Sequence, residues 1–202
     1  MKMLSQKGLL LFGAVLAVCA FVVPSMASAA SWSPINTTHQ LFSPNLSFNG
    51  LTALPDTTIG SSCAASEFDV DVASASTLEI TSGSFQACRG SGSAADCTAT
   101  AVGTRFPWTA TGPSTTDVQI HGIHVDVLFE VGPGLPCTGA NGAKITLTGT
   151  LTGGSWDPSS ITANRRVTYR NASGLTGHAG GAVAVTVNGD IRDTTGTLDL
   201  LM

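Results

Sequence analysis

Three acidic residues that alternate along the chain could bind a metal ion. Glu67, Asp69 and Asp71 are separated by apolar residues, so a β-strand would place all three carboxylates on one face. Carboxylate oxygens at about 2.3–2.6 Å are the ligands that Ca²⁺ prefers. Side chains two residues apart on a strand lie roughly 7 Å apart, so a calcium site would also need ligands from a neighbouring strand. A solvated acidic face is the simpler interpretation.

A second candidate metal site lies in the segment HGIHVDVLFE. In a strand, His124, Asp126 and Glu130 share the outward face, and a bulge at Gly122 would bring His121 to the same side. Imidazole and carboxylate ligands together can hold zinc or copper. The spacing differs from that of a helical histidine pair, so polar residues on the solvated side of a strand are the alternative interpretation.

Motifs of common hydrolases and of phosphate-binding loops are absent from the sequence, which contains no GxSxG, HExxH or SxxK. A Ser-His-Asp triad can still be assembled from residues far apart in sequence. It would need His121, His124 or His178 beside a serine and a carboxylate in a cleft. We expect a protein that is not an enzyme and has no cofactor, with a secreted hydrolase as an alternative.

Four large amphipathic aromatic residues could bind a ligand: Trp32, Trp108, Trp156 and Tyr169. Exposed on a β-sheet, they could stack on sugar rings or hold an apolar molecule. Packing in the core, with each polar atom reaching a partner at the rim, is the alternative. Exposure of the rings separates these two interpretations.

The first 29 residues have the organisation of a secretory signal peptide. A basic start precedes an apolar run over residues 8–23, and the motif ASA at 27–29 is a cleavage signal. The run is shorter than the roughly 20 residues of a membrane-spanning helix, so no transmembrane segment is expected after cleavage. Cys19 lies inside the run and could be lipidated only if a lipoprotein processing site lay there, although Val18 is large for such a site.

Removal of this segment leaves four cysteines, and an even number in an exported chain indicates two disulfides. Three pairings are open. The short, polar segment between Cys88 and Cys97 favours a bond between these two, which would leave Cys63 to pair with Cys137. No CxxC motif indicates a metal or redox site.

The composition excludes several classes of protein. The chain has 202 residues, of which 43% are hydrophobic and only 11% charged, with a net charge of −4. The acidic charge argues against a nucleic-acid partner, and the apolar content argues against disorder. Arg165, Arg166 and Arg170 form the main basic cluster, and a solvated strand face accounts for them.

Apolar residues recur at every second position in several segments of residues 30–202, as in Phe68, Val70 and Val72. Turn signals such as Asn188-Gly189 separate these runs. Alternation with Ser and Thr indicates antiparallel sheets that are wet on one side. We therefore predict a single all-β domain over residues 30–202, an antiparallel β-sandwich of Greek-key or jelly-roll type that two disulfides staple.

Several short motifs resemble a family of small secreted bacterial proteins. They are Trp32-Ser33-Pro34, the early Cys63, the cysteines at 88 and 97, and Pro107-Trp108-Thr109. Together they resemble PraB-type activators of alkane oxidation. The resemblance implies an extracellular accessory role at hydrocarbon surfaces and identifies no catalytic residues.

These observations predict a secreted, non-enzymatic protein of the bacterial exterior or cell envelope. The alternatives are an extracellular module that binds a carbohydrate or an apolar ligand, and a secreted hydrolase. The sequence names no specific partner beyond a cell-envelope component or a ligand of these two classes.

Overall fold

The computed structural model describes residues 30–51, 58–114, 116–138, 140–157, 165–178 and 182–201, which form strands and no helix. The predicted all-β class is therefore confirmed for these residues. The predicted signal peptide and Cys19 lie outside them. The strands are β1 (Ser31–Ser33), β2 (Thr38–Ser43), β3 (Leu46–Leu51), β4 (Thr58–Ser74), β5 (Thr77–Gly92), β6 (Thr98–Gly103), β7 (Trp108–Thr111), β8 (Asp117–Glu130), β9 (Lys144–Asp157), β10 (Arg166–His178), β11 (Ala182–Asp193) and β12 (Asp199–Leu201).

The main sheet closes on itself into an eight-stranded antiparallel barrel. β4 pairs with β3 and with β5, and the circuit continues through β6, β8, β9, β10 and β11 back to β3. Along part of the barrel, β2 takes the place of β3 between β4 and β11, and β7 takes the place of β6 between β5 and β8. The prediction of a β-sandwich was wrong, because the long strands join edge to edge into one closed sheet, and the second sheet among the described residues is only the two-stranded pair β1 and β12. Closure satisfies the backbone groups that an open edge would expose.

Inward and outward residues alternate along the barrel strands as the sequence indicates. In β8, Val125, Val127 and Phe129 are buried, whereas His124 and Asp126 between them are partly exposed. The predicted bulge at Gly122 is also confirmed: Ile120 pairs with Leu151, but Ile123 pairs with Gly149. Gly122 has a φ of +73°, a conformation that glycine adopts without strain.

The disulfides join Cys63 to Cys88 and Cys97 to Cys137, so the predicted pairing was wrong. Cys63 and Cys88 lie directly opposite each other on β4 and β5. Cys97 precedes β6, and the Cys137 amide donates a hydrogen bond to the Asp96 carbonyl oxygen at 2.8 Å. Strand register therefore decides the pairing, and the shorter spacing between Cys88 and Cys97 does not.

The two ends of the barrel are closed in different ways. At one, which we call the ribbon end, β1 pairs with β12 in a separate two-stranded ribbon, and Trp32 and Leu200 are buried beneath it. The Trp32 indole Nε1 donates to the Ala110 carbonyl at 3.2 Å. At the other, the disulfide end, the Cys97–Cys137 bond joins the loops that precede β6 and follow β8.

Candidate functional site

An apolar cavity of about 60 Å³ lies inside the barrel. Its wall is almost entirely carbon and comes from strands all around the barrel together with the ribbon. Lining residues include Trp32, Phe48, Phe68, Leu78, Val125 and Leu151. A smaller cavity of about 20 Å³ lies on the other side of Phe48, toward the disulfide end. A dry apolar cavity can take up small apolar molecules.

The four candidate stacking residues all lie in the barrel interior. Trp32, Trp108, Trp156 and Tyr169 are each at most 4% exposed. Trp32 contacts Trp156 edge to face at a centroid distance of 6.2 Å. None of the four offers a ring face to a sugar at the surface, and all four line the apolar cavity.

The polar atoms of these aromatic residues differ in how they are satisfied. The Trp108 Nε1 donates to the Thr104 carbonyl at 3.0 Å. The Trp156 Nε1 and the Tyr169 hydroxyl are buried without a hydrogen-bond partner among the described residues. Burial raises the pKa of Tyr169, which keeps the phenol neutral at physiological pH.

The carboxylates of Glu67, Asp69 and Asp71 share the outer face of β4, as predicted. Asp69 accepts a hydrogen bond from the Ser82 hydroxyl at 2.6 Å, and Asp71 accepts one from Thr38 at 2.8 Å. The neighbouring strands thus supply serine and threonine hydroxyls to these carboxylates. Among the described residues, they supply no further carboxylate that would complete a calcium site. Nowhere in the described ranges do three histidine, cysteine or acidic residues form a group that could hold a metal ion.

His121 and His124 both lie on the outer wall, on either side of the Gly122 bulge. The His121 Nε2 lies 3.0 Å from the Thr111 hydroxyl, and the His124 Nδ1 lies 2.7 Å from that of Thr104. The histidines thus engage threonines and not each other. His178 approaches a threonine as well, Thr148 at 3.5 Å.

Asp126, the third candidate ligand of that cluster, is held by its neighbours across the strands. It accepts a hydrogen bond from Thr146 at 2.5 Å and forms an ion pair with Lys144 at 3.2 Å. The Thr146 hydrogen bond is the main cause that lowers the pKa of Asp126, and Lys144 adds to it. The carboxylate is therefore ionised and already engaged.

His39 belongs to a buried polar cluster that the sequence did not indicate. Its side chain points into the ribbon end of the barrel and is 4% exposed, as is Asp193. The Nδ1 atom lies 2.9 Å from the Thr195 hydroxyl and 3.6 Å from Asp193, and the Nε2 lies 2.8 Å from Thr37. Thr195 and Asp193 lie more than 150 residues from His39 in sequence, which explains why no local motif reveals the cluster.

This cluster has the residue types of a catalytic triad but a different hydrogen-bond order. The Thr37 hydroxyl donates its proton to the Pro34 carbonyl at 2.6 Å. It can therefore only accept from the His39 imidazole, the reverse of an activated nucleophile. This arrangement of hydrogen bonds favours a structural role for the cluster at the ribbon end.

Asp193 organises the turn that leads into β12. It accepts hydrogen bonds from the Thr195 hydroxyl and from the amides of Thr195, Thr197 and Leu198, at 2.7–3.0 Å. Burial alone raises the pKa of Asp193, but these hydrogen bonds outweigh it and hold the pKa below its ordinary value. The ionised carboxylate thus fixes the turn that buries Leu198.

The outer wall is mostly polar. Among the described residues, Ile35, Val102 and Val131 are the large hydrophobic side chains that are exposed, and each of them is on a different segment. No helix in the described part of the chain is suited to crossing a membrane.

Comparison with known protein families identifies a match. The sequence model of the family described as alkane oxidation protein activator PraA/PraB-like matches residues 3–188. No curated protein and no solved structure matches the chain.

Proposed function

Because the chain belongs to the PraA/PraB-like family of alkane oxidation protein activators, we propose that it is an exported accessory protein that binds a hydrocarbon-like ligand inside its barrel. We propose that the protein binds this ligand without catalysing a reaction on it. The observation that carries the proposal is the apolar cavity between Trp32, Trp156 and the surrounding strands.

The size and chemistry of the cavity indicate the kind of ligand. The volume of about 60 Å³ is well below the roughly 150 Å³ of a cavity that admits benzene. Such a space admits an alkyl segment of a few carbons, such as propane, and not benzene. Because the wall presents almost no polar atoms, an alkane needs no hydrogen-bond partner there, whereas a sugar would leave its hydroxyls unsatisfied.

Two further features support export and a non-catalytic role. The two disulfides are compatible with an oxidising compartment, where the predicted signal peptide would direct the chain. Both hydroxyls beside the buried His39 are committed elsewhere: that of Thr37 donates to the Pro34 carbonyl, and that of Thr195 donates to Asp193. These features favour a binding protein over a hydrolase.

Methyl NMR of the oxidised protein equilibrated with increasing amounts of propane tests the proposal. We expect shifts at cavity residues such as Val125 and Leu151, and none at the exposed Val102. Leu151→Ala enlarges the cavity and should tighten binding, whereas Ala110→Leu fills it and should abolish binding. Val102→Ala is the matched surface control. Propane that shifts no cavity methyl group in wild type or in Leu151→Ala contradicts the proposal.

A further inference from the structure

His39 lies between the two chain segments that lead to the ribbon strands. Its Nε2 atom lies 2.8 Å from the hydroxyl of Thr37, in the segment that joins β1 to β2. Its Nδ1 atom lies 2.9 Å from the hydroxyl of Thr195, in the segment that joins β11 to β12. Since β1 and β12 are the two strands of the ribbon, one buried imidazole ring connects the supports of both.

Both of these hydroxyls use their own proton elsewhere. The Thr37 hydroxyl donates to the Pro34 carbonyl oxygen at 2.6 Å. The Thr195 hydroxyl donates to the ionised Asp193 carboxylate at 2.7 Å, and the Thr197 hydroxyl, 3.1 Å away, has a proton of its own to donate to Thr195. A hydroxyl has a single proton to donate, so each of the two oxygens can only accept a hydrogen bond from the ring.

The ring must therefore donate from both of its nitrogen atoms. A neutral imidazole has one N–H group and one lone pair, whereas an imidazolium has two N–H groups. The Asp193 carboxylate lies 3.6 Å from Nδ1 and balances the positive charge of such a ring. The two hydrogen bonds and the ion pair thus all fit the protonated form of His39.

Asp193 is the charged group that lies within ion-pair distance of the ring. Directly opposite His39 on β4 is Val70, which is fully buried. The charged side chains of the strands around the ring otherwise lie on the outer wall or pair with each other: Glu67, Asp69 and Asp71 on β4, Asp190 and Arg192 on β11, and Arg165 with Asp199 of β12. The charge of the ring is therefore set against Asp193 and the two hydroxyls.

Loss of the second ring proton breaks one of the hydrogen bonds that support the ribbon. If Nε2 becomes a lone pair, the Thr37 hydroxyl must turn its proton to the ring and leave the Pro34 carbonyl. If Nδ1 becomes a lone pair, the Thr195 hydroxyl must turn its proton away from Asp193. The chain is then freed just after β1 in the first case and just before β12 in the second.

We propose that His39 is a pH-sensitive switch: its protonated ring holds the ribbon closed over the barrel, and its deprotonation loosens the ribbon. The ribbon end therefore loosens as the pH rises, in addition to its weakening when acid protonates Asp193. Both effects act through the same turn before β12. The disulfide end takes no part in the switch, and the proposal holds whatever molecule the cavity binds.

Nitrogen-15 NMR of the histidine rings in the oxidised protein tests the protonation state. We expect both ring nitrogens of His39 to carry a proton at about pH 6 and only one of them at about pH 9. The signals of His39 are assigned by their absence from His39→Gln. A ring with one proton at about pH 6, or with two at about pH 9, overturns the proposal.

Hydrogen exchange, expressed relative to the intrinsic rate at each pH, tests the effect on the ribbon. Between about pH 6 and about pH 9, protection of the Trp32 Nε1 proton, which donates to Ala110, should fall by about tenfold or more. Protection of the Gly132 amide, which donates to Leu135 at the disulfide end, should stay the same. Equal changes at Trp32 and Gly132, or no change at Trp32, overturn the proposal.

His39→Gln separates the switch from general effects of pH. A glutamine side chain can donate to a hydroxyl but does not titrate, so the variant should lose the change in protection at Trp32. His178→Gln is the matched control, because His178 is exposed on the outer wall, and it should respond to pH as wild type does. Circular dichroism confirms that both variants are folded. A wild-type response in folded His39→Gln overturns the proposal, and the two measurements on wild type do not depend on this variant.

Discussion

The two ends of the barrel solve the same problem by different chemistry. The ribbon end is closed by packing and hydrogen bonds: Trp32 and Leu200 fill it, and Asp193 fixes the turn between β11 and β12. The disulfide end is closed by the covalent bond between Cys97 and Cys137. One closure therefore depends on pH and on side-chain volume, whereas the other depends on the redox state.

This difference bears on access to the cavity. The cavity lies against Trp32 and Leu198 of the ribbon end, and the second, smaller cavity lies toward the disulfides. A noncovalent closure can open transiently under conditions in which a disulfide stays intact. The ribbon end is therefore the expected route for a ligand.

Reduction should have the largest effect on the disulfide end. The disulfides close loops of 25 and 40 residues, worth about 3.5 and about 4 kcal/mol on the chain-entropy relation. We expect urea unfolding with and without reductant to show a loss of this order for each bond. Comparison of Cys63→Ser/Cys88→Ser with Cys97→Ser/Cys137→Ser separates the two contributions. In Cys97→Ser/Cys137→Ser, amide hydrogen exchange should speed up in residues 131–138 and not at Trp32. An equal increase at both places contradicts the independence of the two closures.

Removal of the indole should have the next largest effect, at the ribbon end. Trp32→Ala deletes a buried ring and should lower the free energy of unfolding by about 3–5 kcal/mol. Trp32→Phe keeps most of the volume but loses the hydrogen bond to Ala110, at a cost of about 0.5–1.5 kcal/mol from that bond. Ile35→Ala, at a side chain that is 53% exposed, is the control and should change stability little. Equal stability of Trp32→Ala and this control contradicts the role of the ribbon.

Acidification should weaken the ribbon end and leave the disulfides intact. The folded pKa of Asp193 lies below its ordinary value of 3.8, so its ionised form contributes stability above that value. This contribution is lost as the pH falls through the folded pKa. Asp193→Asn should lower the stability near neutral pH by about 1–3 kcal/mol and flatten the acid limb of the stability curve. Urea unfolding at about pH 6 and about pH 3 measures both effects, and an unchanged acid limb in the variant contradicts the assignment.

The smallest effect is expected on the outer wall, away from both ends. The Lys144 side chain is 58% exposed in its ion pair with Asp126, so Lys144→Gln should cost at most about 0.5 kcal/mol. Thr146→Val should raise the pKa of Asp126 more than Lys144→Gln does, because the Thr146 hydrogen bond is the main cause of the lowered value. NMR titration of the Asp126 carboxyl carbon compares the two variants. A larger rise in Lys144→Gln contradicts this order.

Local sequence patterns predicted the strands but not how they close. Alternation in Val70, Val72 and Val125 gives the inward face of each strand, because a strand has a period of two residues. Closure depends on which strands meet at the edges, such as β4 with β5 and β11 with β3. These partners are not encoded in a local period, and the same alternation suits a sandwich and a barrel.

The sequence did contain a signal for one disulfide. A hairpin turn at residues 75–76 aligns Ser74 with Thr77 and, further along the same two strands, Cys63 with Cys88. Two register shifts between the turn and the cysteines offset each other, so counting outward from the turn gives the pairing that loop length alone missed. The second disulfide then follows by elimination.

The candidate sites were predictable to different degrees. The outward direction of Glu67, Asp69 and His124 follows from strand parity, but their hydroxyl partners come from other strands. His39 was missed because its partner Asp193 is distant in sequence. The aromatic residues were correctly identified as large and amphipathic, but only the closed barrel shows that their rings line its interior.

The pairing of β1 with β12 has a consequence for biogenesis. Trp32 is aligned with Leu200, so a chain that emerges from a ribosome or an export channel with its amino end first presents the tryptophan long before its partner. Until then, the indole can contact Ala110 and Trp156 but lacks the strand partner that completes the ribbon. Pairing of β1 with β12 is therefore expected to be the last step of folding, after the barrel strands have paired.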